Sequence, residues 1–399
     1  MSWDTIRAEE YCESVRDGTH DTPKPVSNGY KLVTGKHIQN GQIDPTDAYF
    51  ISENDYRKIN ERSKVEKWDV LMSMIGNGLG RSAVVIKKPD YAIKNIALFK
   101  VGDEKKAKWL HYYLSSPQGQ GFIYNSLQGS GQPFISLSFI RDFPIPTPPL
   151  PYLNKAVSIL EIYDDLIENN QKQIKLLEEA AQRLYKEWFV DLHFPGWEET
   201  KIVDGVPEGW EKKTIFDMSS VLRRGISPKY NDKGKYTVIN QKCIRQTIMD
   251  IKESRQQEKE YPADMNLKDS DIVICSTGSG TLGRVGQVFG DYPDTTFDSH
   301  VTLVRAKKPD HSQFLFLTLK YLQPLLMTLG QGSTNQLELP KRVIESYEII
   351  CPTEKLIIDF ESAILPIHNK ITSLVSIIKN ATEARDRLLP KLMSGEVEV

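Results

Sequence analysis

The sequence predicts an α+β protein. It has two similar globular domains with mixed β-sheets, joined by two long helices that form an antiparallel coiled coil with pseudo-twofold symmetry. Three observations lead there: an internal repeat, a heptad pattern that appears twice, and short β-branched runs that recur in both halves.

The repeat is clearest in a strand-and-glycine segment. Asp69-Val-Leu-Met-Ser-Met-Ile-Gly-Asn-Gly-Leu-Gly-Arg81 matches Asp271-Ile-Val-Ile-Cys-Ser-Thr-Gly-Ser-Gly-Thr-Leu-Gly-Arg284. Tyr30–Ile38 answers Tyr236–Ile244, Gln128-Gly-Ser130 answers Gln331-Gly-Ser333, and Phe143–Pro148 answers Tyr347–Pro352. Four matches in one order mark a duplication. The order divides the chain into a globular domain (1–150), a helix (151–192), a linker (193–209), a second domain (210–353) and a second helix (354–399).

Strands are expected at Tyr30–Ile38, Val70–Ile75, Ala83–Ile86 and Ile96–Val101. Their counterparts are Tyr236–Ile239, Ile272–Cys275, Val285–Phe289 and Val301–Val304. Helical stretches near Ala107–Leu114 and Phe314–Leu326 interrupt them.

In the first long helix Leu153, Leu160, Ile167, Ile174, Ala181 and Trp188 recur every seven residues, and Ala156, Tyr163, Asn170, Leu177 and Leu184 fill the second seam position. Ile357, Ile364, Ile371, Ile378, Arg385 and Leu392 repeat the first set, and Phe360, Ile367, Leu374, Ala381 and Leu388 the second. A helix over 152–190 would extend about 58 Å, more than one small domain needs. The helices are therefore expected to pack on each other rather than each on its own domain. Since the first leaves domain one and the second leaves domain two, the pair must be antiparallel. Asn170 reads as a register device. Pro366 should bend the second helix and Pro390 should help to end it.

Bulk charge suggests no partner: Lys plus Arg is 51 and Asp plus Glu is 53. By segment, however, the first domain carries 19 basic and 17 acidic residues and the second 20 and 17, while both helices and the linker are acidic. Cys12, Cys243, Cys275 and Cys351 form no metal or disulfide spacing. The start of the chain shows no apolar signal core and no long apolar run follows, so a cytoplasmic protein is expected.

Polar clusters fall in equivalent loops. Arg16, Thr19, His20, Lys36 and His37 lie in the first half; Arg223, Arg224, Lys229 and Lys242 lie in the second. Asn77 and Arg81, and their counterparts Ser279 and Arg284, sit in the glycine loops, where a backbone can approach a ligand closely. Gln128 and Ser130 answer Gln331 and Ser333, and Gln132-Pro133-Phe134 has Asn335-Gln336-Leu337 opposite it. These residue types hydrogen-bond phosphates and base edges, although solvated loops and close hairpin packing use them too. The glycine loops lack the Gly-x-x-x-x-Gly-Lys-Ser/Thr pattern of a nucleotide cradle.

Catalytic constellations are missing. The seven histidines show no metal-binding spacing, no Gly-x-Ser-x-Gly elbow occurs, and no tetrapeptide of the Asn-Pro-Pro-Tyr type is present to hold a flipped adenine. Asp69 and Asp271 read as structural residues opening a strand rather than as metal ligands. No catalytic residue, metal site or bound cofactor is expected.

Gln128-Gly-Ser-Gly-Gln132, leading through Ile135-Ser-Leu-Ser-Phe-Ile140 to Phe143-Pro-Ile-Pro-Thr-Pro148 and then to the heptad helix, resembles the specificity subunit of type I restriction–modification systems. Arg387-Leu-Leu-Pro-Lys-Leu-Met-Ser-Gly-Glu396 is similar to that family's usual carboxyl terminus. The resemblance implies two target recognition domains, each reading half of a bipartite, asymmetric site on double-stranded DNA. It implies helices that set the spacing and dock two modification (methyltransferase) subunits, with restriction (endonuclease and translocase) subunits joining them. S-adenosylmethionine, ATP and Mg would then belong to the partners. The alternative is a two-module ligand-binding scaffold on a coiled-coil spacer; an autonomous restriction enzyme ranks third.

Overall fold

The computed structural model describes residues 3–76, 78–127, 133–245, 247–278, 280–332 and 337–399. The chain forms two compact units, Met1–Ile167 with Asn380–Val399, and Glu168–Lys379.

Unit one is built on an antiparallel four-stranded sheet in the order Ser14–Asp17, Ile96–Lys100, Val70–Ser73, Ser82–Val84. A second sheet places Tyr30–Val33 between Phe50–Ile51, antiparallel, and Tyr91–Ile93, parallel. Thr5–Arg7 pairs with Pro144–Pro146. All of Val70–Ser73 is buried, as a strand covered on both faces must be. The helix Glu104–Ser115 covers the sheet with Trp109 and Leu110, both fully buried, and the Trp109 indole N–H donates to Pro146 O at 2.8 Å.

Unit two repeats this topology. Its four-stranded sheet runs Ser219–Arg224, Val301–Ala306, Ile272–Cys275, Val285–Gln287. Tyr236–Ile239 lies between antiparallel Arg255–Gln257 and parallel Thr295–Phe297, and Glu211–Thr214 pairs with Glu348–Cys351. The two mixed sheets and the shared strand order bear out the α+β reading of the repeat.

Each unit also holds an antiparallel helix pair, cut from Leu150–Phe189 and Glu354–Ser394. In unit one the Tyr152 hydroxyl donates to Leu392 O and Val397 O, at 3.1 and 2.9 Å, and Asp164 pairs with Arg385 at 2.7 Å. Moving up one helix thus means moving down the other. In unit two Ile174 clusters with Ile371 and Leu374, and Ala181 and Tyr185 with Ile357, Phe360 and Ile364. Leu153, Leu160, Ile174, Ile364 and Ile371 are buried, and Ile167, Leu184, Ile378 and Leu388 half-buried. Asn170 is 5 % exposed, and its side-chain N–H group has no partner among the described residues.

Pro390 does not end the second helix. The helix runs on to Ser394 and closes at Gly395, in the left-handed region at φ 71°. An interior proline costs about 3 kcal/mol, but Leu389, Leu392 and Met393 are buried in the core of unit one. At about 1.5–3 kcal/mol for each such side chain, burial outweighs that cost. Pro366 is likewise inside the continuous helix.

Candidate nucleic-acid interface

The glycine segments form the tips of tight hairpins. Ser73 N–H donates to Arg81 O and Gly80 N–H to Ser73 O, both at 2.9 Å; in unit two Cys275 N–H donates to Arg284 O at 2.9 Å and Gly283 N–H to Cys275 O at 2.8 Å. Gly76, Gly80, Gly278, Gly280 and Gly283 have positive φ, so the tips need glycine for the turn itself.

A relay of backbone hydrogen bonds gathers the other loops around each tip. In unit one Asn95 N–H donates to Thr19 O (3.1 Å), Met74 N–H to Asn95 O (3.3 Å) and Ile135 N–H to Met74 O (3.0 Å). The Gly35–His37 turn joins them, because a Cβ at Gly35 would stand 2.2 Å from Ser73 Oγ and one at Gly78 3.4 Å from Gly35 O. In unit two Gly225 N–H donates to Val301 O (3.0 Å), Ser276 N–H to His300 O (2.8 Å) and Leu339 N–H to Ser276 O (2.8 Å). Both units therefore present one edge made of the glycine tip, the loop leaving the outer strand, a short turn and the segment after the Gln-Gly-Ser motif.

Of the expected contact residues, this edge brings together Thr19, His20, Lys36 and Arg81 in unit one. The His20 ring bridges Asn95 Oδ1 and Asp17 Oδ2, both at 2.9 Å. Lys36 is exposed and pairs with Asp47 at 2.9 Å. Arg16 lies farther along its strand and donates to Arg62 O at 2.8 Å. In unit two Arg224 donates to Glu338 at 2.8 Å, Arg223 lies 3.3 Å from Asp264, and Lys229 pairs with Glu258. Gln331 is exposed in a bridge to Glu338. Among the described residues, Arg81, Lys242 and Arg284 have no carboxylate partner. Asn77, Gln128, Ser130, Ser279, Ser333 and Asn335 lie outside the described residues.

His37 corrects the expectation of a surface contact. It is 3 % exposed, its Nδ1 accepts the Thr34 N–H at 2.8 Å, and burial lowers its pKa. The ring closes its own turn and cannot reach a ligand. The repeat alignment is corrected as well: Phe134 bridges Ile75 and Glu338 bridges Thr277, so Phe134 stands opposite Glu338 rather than Leu337.

Asp69 and Asp271 are each held by a basic side chain and a turn N–H. Asp69 accepts from Lys100 at 2.8 Å and from Glu66 N–H at 2.7 Å. Asp271 is gripped by the Arg305 fork at 2.6 and 2.7 Å and accepts Lys268 N–H at 2.8 Å. Sequence reasoning missed Asn95 and His300, which sit in turns, and Glu338, which bridges Thr277 and Gln331; only the spacing between apolar runs marks them. Among the described residues no group of three or more His, Cys, Asp or Glu side chains is placed to hold a metal ion, and no helix is long and apolar enough to cross a membrane.

A duplicated α+β unit carrying an antiparallel helix pair and a polar loop edge defines a two-module class of protein. The chain belongs to the Methylase_S family, the type I restriction modification DNA specificity domain, which matches residues 2–179 and 207–373. It is 24 % identical over 310 residues to the type I restriction enzyme MjaIX specificity subunit of Methanocaldococcus jannaschii, covering 73 % of this chain and 69 % of that one. It is also 24 % identical over 421 residues to the HindI specificity subunit of Haemophilus influenzae, covering 84 % and 88 %. The fold is shared with the S subunit of the type I restriction–modification system of M. genitalium, at a TM-score of 0.54 and 14 % identity over 98 % of this chain and 96 % of that chain.

Proposed function

We propose that this chain is the non-catalytic address-reading subunit of a type I restriction–modification complex. Each unit reads one half of a bipartite, asymmetric site on double-stranded DNA through its polar loop edge. The helices set the distance between half-sites and dock two modification subunits, to which restriction subunits add. S-adenosylmethionine, ATP and Mg serve those partners, and the complex works in the cytoplasm.

The observation that carries this reading is the recurrence of one edge in both units with different side chains on it. Arg81 and Arg284 end equivalent glycine tips, as phosphate contacts would. Gly18 and Gly225 leave equivalent strands, yet Thr19-His20 follows one and Ile226-Ser227 the other. A shared frame with unlike loops fits two unlike half-sites.

The test has two parts. Binding to DNA should weaken steeply and linearly in log affinity against log salt, and one bipartite sequence should outcompete random DNA. The adenine methylation pattern of the native genome should show both half-sites with a fixed spacer. A flat salt response with no preferred sequence would favour the ligand-binding scaffold, and nuclease or methyltransferase activity of the purified chain alone would overturn the proposal.

A further inference from the structure

Arg255 of unit two differs from most of the arginines around it. Arg223, Arg224, Lys229, Arg245 and Arg305 each face a carboxylate. Arg255 is exposed and has no carboxylate partner among the described residues. Instead its guanidinium carbon lies 3.6 Å from the centre of the Tyr230 ring, which is itself 41 % exposed. An arginine fork stacked on an aromatic face has already lost much of its rotamer freedom while keeping its in-plane donors available.

The surrounding backbone fixes the pair. Tyr230 bridges Gln257, Asn231 N–H donates to Gln256 O at 3.2 Å, and Glu258 N–H donates to Lys229 O at 3.0 Å. Gly234 permits the closure, since a Cβ there would stand 2.4 Å from Gln257 O. The loop bearing Tyr230 starts at Gly225, beside Arg224 on the recognition edge. The strand bearing Arg255 follows Glu253, whose carbonyl accepts from the Asn240 side chain in the turn next to Lys242. Arg255 is therefore anchored to that edge from both sides.

Unit one lacks the pair. The registers Tyr30↔Ile51 and Tyr236↔Gln257 place Tyr49 where unit two has Arg255, so no arginine stands at that position of unit one. Resting on the DNA-reading role proposed above, we infer that Arg255, held flat by Tyr230, is a specificity-determining residue that reads a guanine in one half-site only. Its planar fork matches the two major-groove acceptors of guanine, which is the chemistry that discriminates that base from the other three. Arg223, Arg224, Arg245 and Arg305 are spent on internal pairs.

The experiment replaces the chromosomal copy with R255A, R255K or Y230F and maps methylation across the genome in the native complex. R255A and R255K should relax one G·C position in one half-site, with discrimination there falling about 5- to 150-fold, while the other half-site stays as in wild type. Y230F, which keeps the ring, should keep the motif. An unchanged motif in R255A overturns the inference. So does a uniform loss of methylation at all sites in R255A whose thermal unfolding matches wild type, because that is a phosphate contact. A wild-type genome without any bipartite motif overturns the DNA-reading role itself, a failure visible before any variant is made.

Discussion

The Asp271–Arg305 pair gives the sharpest test of how unit two is held together. Asp271 is 1 % exposed, and both carboxylate oxygens accept from the Arg305 fork, at 2.6 and 2.7 Å. Arg305 spends its other donors on Asp264 O and Asn266 O, at 3.0 and 2.8 Å, so one guanidinium ties a strand to the turn that precedes its neighbour. Replacing one partner leaves the other charge buried, and D271N or R305M should each cost about 3–5 kcal/mol. The double variant D271N/R305M leaves no buried charge, so it should cost less than the sum of the singles, with a coupling energy of about 2 kcal/mol. The pH dependence carries a second signature. Burial pushes the Asp271 carboxyl up and Arg305 pulls against it. In R305M that pull is gone and the carboxyl rises further. A carboxyl raised above its unfolded value contributes stability at low pH and loses it as pH rises; the R305M deficit should therefore grow from pH 4 to pH 7. Urea unfolding followed by circular dichroism, at several pH values, measures both effects. A coupling energy under about 0.5 kcal/mol would refute the reasoning, and a D271N defect rescued by added divalent metal would return Asp271 to the metal-ligand reading.

Glu361 is buried, accepts the Gln313 and Phe314 N–H groups at 2.6 and 2.9 Å, and burial raises its pKa from 4.5 to about 7. Its stabilising share is thus lost as pH rises from about 5 through 7, and E361Q should gain on wild type by about 3 kcal/mol across that window in urea titrations; parallel pH profiles for the two proteins would count against it. G225A should open the recognition edge of unit two, since its Cβ would stand 2.0 Å from Asp298 O; a binding competition should show weakened selection in one half-site, and unaltered selection would mean the loop moves freely. R284A should weaken binding equally across DNA sequences and reduce the salt slope by about 1, as measured by titration over a salt series; a loss confined to one base position would make Arg284 a reader instead.

How much of this was legible in the sequence depended on periodicity. The heptads and the doubled glycine segment are long, regular signals, and they mark the helix seam and the hairpins at Ser73–Arg81 and Cys275–Arg284. The three-stranded side sheets were not foreseen in detail, because a strand as short as Phe50–Ile51 carries no alternation to read. Pairing of charges was equally hidden. Lys36 and Lys229 look like free cations in the sequence, and only the fold brings Asp47 and Glu258 to them. His37 looked exposed because its neighbours are polar, whereas the turn it closes tucks the ring inward. Arg255 was overlooked for the converse reason: its aromatic partner lies 25 residues earlier in the chain, and no local pattern joins the two.

The duplication also explains how one frame can serve two different sites. Gly18 N–H bonds to Ile96 O and Gly225 N–H to Val301 O, so Asp17 and Arg224 occupy the same register position. One is a buried acid held by Arg62 and His20; the other is a base held by Glu338 and Ser299 O. The charge at the root of the recognition loop has inverted while the strand, its partner and the glycine after it have not. Each charge has its own counter-charge from outside the sheet, the helix residue Arg62 in one unit and the loop residue Glu338 in the other. The hydrogen-bonded frame tolerates such a change because its register rests on backbone groups and on the buried apolar faces of the central strands. Side chains at the edge are then free to diverge, and the requirement on any substitution there is that a buried charge keep a partner.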